Sequence, residues 1–230
     1  MNQAPHLMFC TLLTLGLAGS AQAQFADIPQ GKNIPDCQSG GMAAANCLKA
    51  LEKKGLQQSG GKVTRKAGEL QFKFSPKPLV LTNNDNDGKD YINYAYLGYD
   101  TRLQHHMLYV GLNQGDQYLA IHGKSAQQSV MRGYPVLAPD QQHFATMSVD
   151  MLAGFNPNVV EIWQMNGGEI KKLASIKGDK WGPDGLRWIN PKLLEVKKVC
   201  NNPDPAHQEI ILQCGIVMVA PGKDGWALQP

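Results

Sequence analysis

The chain has 230 residues, 43% hydrophobic and 18% charged, with a formal net charge of +3. That length suits one sizeable core or two small ones. So mild a charge, with no basic stripe, excludes nucleic acid as the partner.

The first 23 residues carry no Asp, Glu, Lys or Arg. A polar start, Met1 to His6, leads into an apolar run from Leu7 to Ala18 and then Ala21-Gln22-Ala23. Small residues at the first and third positions of that tripeptide fit a signal peptidase, so a cleaved leader and a mature amino terminus at Gln24 are expected. About a dozen apolar residues fall short of the roughly 30 Å of a bilayer core. The mature chain is therefore expected to hold no integral membrane segment and to work in the periplasm or outside the cell. Once Cys10 leaves with the leader, Cys37, Cys47, Cys200 and Cys214 remain. An even count in an oxidising compartment reads as two disulfides. Of three connectivities, the local one, 37–47 and 200–214, is expected. One tension stands against it: in a tight hairpin of 193–199 with 209–215, Cys214 would lie opposite about Leu194.

From Gln24 to Gln38 the chain is polar and irregular. A short helix is expected from about Met42 to Lys54, with Ala44, Leu48 and Leu51 on one stripe and Gly55 just past its end. Residues 57–67 are rich in Gly and Lys and read as a linker, giving an N-terminal helical segment over 24–67 and a β domain over 68–230. Two-residue alternation between turn signals then predicts strands at Glu69–Phe74, Leu79–Thr82, Tyr91–Tyr99, Gln104–Val110, Gln117–His122 and His143–Val149. Further strands are expected at Val159–Met165, Glu169–Ile176, Leu193–Val199 and Glu209–Val219. No long helical stretch interrupts them, which argues against a βαβ architecture. The expected fold is mainly β: an antiparallel meander, a sandwich or partial propeller-like blades.

An internal similarity with a period of about 50 residues relates two segments. Pro135 to Thr146 precedes Val159-Val-Glu-Ile-Trp163, and Gly185 to Val196 precedes Glu209-Ile-Ile-Leu212. The first, a Pro-Asp turn, a strand and a Val-x-Ile-Trp strand, resembles a blade of WD-repeat and related exported β-propellers. Residues 133–188 also resemble an uncharacterised group of exported bacterial proteins. That resemblance rests on Pro139-Asp140, Asp150, Gly154-Phe155-Asn156-Pro157-Asn158, Trp163 and Trp181-Gly182-Pro183, and it implies no activity. About three units fit after residue 67, whereas propeller closure needs about four or more.

Asn83-Asn84-Asp85-Asn86-Asp87-Gly88 is similar to the first half of a calcium loop, with Asn83, Asp85 and Asp87 as candidate oxygen ligands. The twelfth position is Tyr94 instead of the bidentate Glu, so a polar hairpin turn is the stronger reading. His105 and His106 are expected on opposite faces of a strand, and His106 and His122 within reach across a hairpin. There is no Gly-x-Ser-x-Gly and, with the cysteines paired, no free thiol nucleophile. Gly123-Lys124-Ser125 lacks the Gly a phosphate loop needs five residues earlier. Asp140, Asp150, Glu161 and Asp184 are scattered.

Aromatic residues carry the remaining hint. Tyr94 and Tyr96 share one face of their expected strand, and Tyr91 and Tyr99 the other. Exposed tyrosines anchor protein or sugar partners, while buried ones pack a core. Tyr91, Tyr94, Tyr96, Tyr99, Phe155 and Asn156 are the candidate partner-binding residues. The expected function is an exported, non-catalytic binding protein of the cell envelope, an adaptor or an inhibitor of the immunity-protein kind, with another envelope protein or a glycan as partner. The rival readings are a periplasmic hydrolase whose site assembles only in three dimensions and a calcium-dependent carbohydrate-binding module.

Overall fold

The structure is a computed structural model that describes Cys37 and residues 41–86, 88–207 and 210–229. The expected leader and its cleavage site lie outside the described residues. Helix α1 spans Gly41–Gln58, one turn longer than its sequence pattern predicts. Gly55 stays inside it because the helix packs directly on a strand there. A Cβ at Gly55 would stand 3.0 Å from Tyr96 O and from Leu97 C, so only glycine permits the approach. The stop comes later, where Ser59 Oγ donates to Leu56 O at 2.7 Å and Gly60 and Gly61 take left-handed conformations.

Among the described residues the strands form four antiparallel sheets, each a meander, arranged in chain order. The first holds β1 (Val63–Lys66), β2 (Glu69–Phe72) and β3 (Leu79–Thr82). The expected linker is thus corrected: residues 57–67 contain the end of α1, a turn and β1. Val63 faces Phe72 and Arg65 faces Leu70 across the hairpin, and the one buried apolar residue of β1, Val63, hid among flanking Gly and Lys. The second sheet holds β4 (Ile92–Asp100), β5 (His105–Leu112), β6 (Asp116–His122) and β7 (Gln128–Met131). The third holds β8 (Val136–Leu137), β9 (His143–Ser148), β10 (Val159–Asn166) and β11 (Glu169–Lys177). The fourth holds β12 (Gly182–Asn190), β13 (Leu193–Asn201), β14 (Ile211–Gly222) and β15 (Gly225–Leu228). The two segments related by internal similarity occupy corresponding places: β8–β9–β10 in the third sheet and β12–β13–β14 in the fourth.

Three apolar clusters join the sheets face to face. Phe72, Leu70 and Leu81 of the first sheet meet Tyr96, Leu108 and Ile121 of the second. On the other side of the second sheet, Leu97, Met107 and Tyr118 meet Phe144 and Trp163 of the third, with Leu48 and Leu51 of α1 laid against them. Val160 and Ile162 of the third then meet Leu194, Val196 and Val219 of the fourth. The second and third sheets are therefore covered on both faces, and β4 runs buried from Ala95 to Gly98 without alternation. Each fully buried large side chain contributes about 1.5–3 kcal/mol. Among the described residues no helix is long and apolar enough to cross a membrane.

Both expected disulfides are present, Cys37–Cys47 with Cα atoms 5.3 Å apart and Cys200–Cys214 at 5.8 Å. The second resolves its tension through register. The β13–β14 connection is long, not tight, so Cys200 pairs with Leu212. Lys198 faces Gly215 and Val199 faces Gln213, leaving Cys214 as the extra residue of a bulge beside Gly215, whose φ is +113°. A bulge re-aims one side chain, and here it brings the Cys214 sulfur to Cys200.

Candidate binding site

Strand β4 pairs with β5 on one side and leaves its other edge open, an arrangement that invites pairing with another chain. The protein fills that edge with its own groups. Asn84 exchanges two backbone hydrogen bonds with Ile92, at 2.8 and 3.0 Å. Asn83 Oδ1 accepts the Tyr94 N–H at 3.0 Å, and the Arg65 guanidinium donates to Tyr94 O. Glu52 Oε2 accepts the Tyr96 N–H at 3.0 Å. Glu52 and Arg65 also form a two-pronged ion pair, with Nε–Oε1 2.8 Å and Nη2–Oε2 2.6 Å. Helix, first hairpin and β4 are thus tied at one point.

Above this tie lies a cavity of about 500 Å³. Lys49 and Glu52 of α1 form one wall, Arg65 and Asn83 another, and Tyr91, Asn93 and Tyr94 a third. Tyr109 of β5 and Gly115 of the β5–β6 turn close the far end. Burial raises the Tyr94 hydroxyl above the ordinary tyrosine range, and it raises that of Tyr109 further, with Asp116 adding to the effect. Tyr109 OH donates to Asp116 Oδ2 at 3.0 Å, which keeps this phenol neutral and fixed.

The rim continues onto the loop between β9 and β10. Asp150 accepts the N–H groups of Ala153, Phe155 and Asn156 at 2.9, 2.7 and 3.1 Å. Partial burial opposes its ionisation, but these N–H groups outweigh that and hold the carboxyl below its usual range. Asn158 Oδ1 accepts the Asp150 N–H at 2.7 Å. This internal bonding fixes the loop while Leu152 and Phe155 stand 62% and 54% exposed. Asn156 joins the loop to the cavity. Its Oδ1 accepts the Asp116 N–H at 3.0 Å and lies 2.4 Å from where a Cβ on Gly115 would be.

The structure therefore brings Tyr91 and Asn156 to one surface, with Phe155 beside Asn156 on its loop. Tyr94 borders the cavity but packs its side chain on the same cluster as Tyr96, and Tyr96 and Tyr99 lie apart from the surface. Tyr96 is fully buried, with its hydroxyl 2.9 Å from His106 Nδ1. Tyr99 was expected on the opposite face from Tyr96. A bulge at Leu97, where Tyr96 faces Leu108 and Gly98 faces Met107, turns Tyr99 back to the Tyr96 side, and its ring lies 4.9 Å from that of His106. His106 was expected near His122. Register instead places His105 opposite His122, with rings 5.2 Å apart, and His106 opposite Ile121. His105 and His106 do face opposite sides: His106 packs on Phe72, Phe74 and Tyr96.

Of the calcium-loop candidates, Asn83 spends Oδ1 on Tyr94 N and Asp85 is exposed, while Asp87 lies outside the described residues. Among the described residues no three His, Cys, Asp or Glu side chains converge as metal ligands. The four scattered carboxylates remain apart in role. Asp140 caps its own turn and lies 2.7 Å from His143, Asp150 fixes its loop, and buried Glu161 holds Lys172 and Thr146, while Asp184 is exposed. Ser125 Oγ lies 2.7 Å from His122 Nδ1 in the β6–β7 turn.

Sequence reasoning missed Lys49, Glu52, Arg65, Asn93 and Tyr109 as site residues. Glu52 and Arg65 carry no local signal, since their meaning is a meeting across 13 residues. Against known proteins, no family model matches the chain and no curated protein matches it.

Proposed function

We propose that this chain is an exported, non-catalytic binding protein of the cell envelope, of the adaptor or inhibitor kind. Its docking surface is the cavity between α1 and β4, continued by the Asp150 loop that carries Phe155. The observation that carries the reading is the Asn156–Asp116 contact, which joins a fixed loop bearing exposed apolar side chains to a preformed polar and aromatic cavity. Binding residues concentrate on loops held by a rigid scaffold, and exposed aromatics anchor partners. Two disulfides in the folded chain fit an oxidising compartment outside the cytoplasm.

The test is site-specific photocrosslinking in the exporting cell, with the reactive amino acid placed at Tyr91, at Phe155 and, as a control, at exposed Lys192. The same adduct from positions 91 and 155, and none from 192, is the expected result. Adducts equal at all three positions, or none at 91 and 155, would rule this surface out.

A further inference from the structure

We infer that the cavity between α1 and β4 takes a neutral saccharide of one or two rings, bound without calcium. This deepens the proposed function and rests on the same surface being the binding surface.

The walls decide against other ligand classes. An extended peptide binds beside a strand by pairing with its free edge. Here the β4 edge is closed at Ile92, Tyr94 and Tyr96 by Asn84, Asn83, Arg65 and Glu52, so no backbone ladder is on offer. An anion would need converging cations. Arg65 is held by Glu52 in a bidentate pair, and the Glu52 carboxylate faces the same space, leaving Lys49 alone against it. A purely apolar ligand would strand polar groups.

What the cavity presents is hydrogen bonding on side chains beside aromatic rings. Asn93 and Tyr91 line it as neutral donors and acceptors, while Tyr94 packs its side chain on the cluster between the first and second sheets and has its backbone groups held by Asn83 and Arg65. Asn83 uses its Oδ1 on the Tyr94 N–H, so its amide orientation is set and its NH₂ group remains to donate. A sugar ring matches this set: hydroxyls that both donate and accept, and faces of polarised C–H groups that suit the electron-rich face of a tyrosine. About 500 Å³ lies within the range of small-molecule sites, roughly 300–1,000 Å³. Asn83 Oδ1, the first oxygen a calcium ion would need in the loop, is already taken.

The test is titration of the disulfide-intact protein with N,N′-diacetylchitobiose, cellobiose and maltose in EDTA, followed by calorimetry and by amide ¹H–¹⁵N spectra. At least one disaccharide is expected to bind at about 1 mM or tighter, with shifts confined to residues near 49, 91–95 and 109–115. Asn93→Ala and Tyr91→Ala should each weaken it by about tenfold or more. Raising the salt from 0.05 to 0.5 M should change the affinity by less than about twofold, because no charge pair forms. Shifts in the wild-type spectra decide the matter even if a variant folds poorly. No binding of any of the three, shifts elsewhere on the molecule, or binding restored only by calcium would overturn the saccharide. If none binds but positions 91 and 155 still share a protein adduct, the ligand class fails while the docking surface stands.

Discussion

Glu52 on α1 accepts the backbone N–H of Tyr96 on β4 at 3.0 Å while the same carboxylate grips Arg65 on β1. One side chain thereby satisfies an edge strand, anchors the helix and fixes the guanidinium that in turn donates to Tyr94 O. The side chains of Arg65 and Glu52 are only 20% and 16% exposed, so removing one leaves the other poorly solvated. Glu52→Ala should cost on the order of 2–4 kcal/mol in chemical denaturation. The double variant Glu52→Ala/Arg65→Ala should cost less than the two single changes added together. Additive losses would show that the pair does not act as a unit.

Gly55→Ala offers a test of sign. In an exposed helix interior that change stabilises by about 1 kcal/mol. At Gly55 the new Cβ would press on the β4 backbone at 3.0 Å, where nothing soft can yield. A lower melting temperature is expected, and a higher one would place α1 further from β4 than the structure has it.

Acid should weaken the fold through His106. Burial among aromatic rings lowers its pKa from 6.5 to about 4, with the positive charges of Lys62 and His105 adding to the effect. The unfolded chain then binds one more proton than the folded chain between those values. Stability is therefore full above about pH 7 and falls as pH drops through 6.5 toward 4, by on the order of 3 kcal/mol. His105, also lowered chiefly by burial, acts in the same direction. Urea midpoints measured from pH 7.5 to 4.5 should show the fall, with a shallower slope in His106→Gln. A flat profile would mean that water reaches the ring.

The two disulfides should leave no alkylatable thiol in the exported protein, whose mass should correspond to loss of residues 1–23. Reducing Cys200–Cys214 should lower stability by about 2–3 kcal/mol, since its loop is short. Four thiols in the native exported protein, or an intact leader, would contradict this.

Strands such as β9 and β10 were readable from the sequence because turn residues bound them on either side, although burial on both faces leaves them without a strict alternation. Positions that depend on a single extra residue were not. Leu97 bulges out of the β4–β5 ladder, and every side chain after it changes face, which is how Tyr99 reached His106. Cys214 is the same case in β14, where the bulge made the disulfide possible. Strands β1, β7, β8, β12 and β15 escaped notice because they are short or broken by Gly and Pro. The cavity escaped for a different reason: its walls come from α1, β1, β4 and β5, and residues such as Arg65 and Asn93 gain meaning only once those elements meet.

The tyrosines supply the sharpest separation between core and site. Tyr96 is fully buried against Phe72, with ring centroids 5.9 Å apart, and its hydroxyl meets His106. Tyr96→Ala should therefore cost about 3–5 kcal/mol and lower the melting temperature sharply. Tyr96→Phe keeps the packing and loses only the hydroxyl contact, so a loss of about 1 kcal/mol is expected. Tyr91 and Phe155 are placed otherwise: Tyr91 lines the cavity half-buried, and Phe155 stands mostly in solvent. Phe155→Ser should leave the melting temperature within about 2 °C, since a surface change away from caps and pairs moves stability by under about 0.5 kcal/mol. The same variant should weaken partner capture by more than about 1 kcal/mol, roughly a factor of five. Melting curves and crosslinking yields for Tyr96→Phe, Tyr91→Ala and Phe155→Ser then sort the three by role. If Phe155→Ser captured its partner as well as the wild type did, the Asp150 loop would be scaffold alone and the docking surface would end at Gly115.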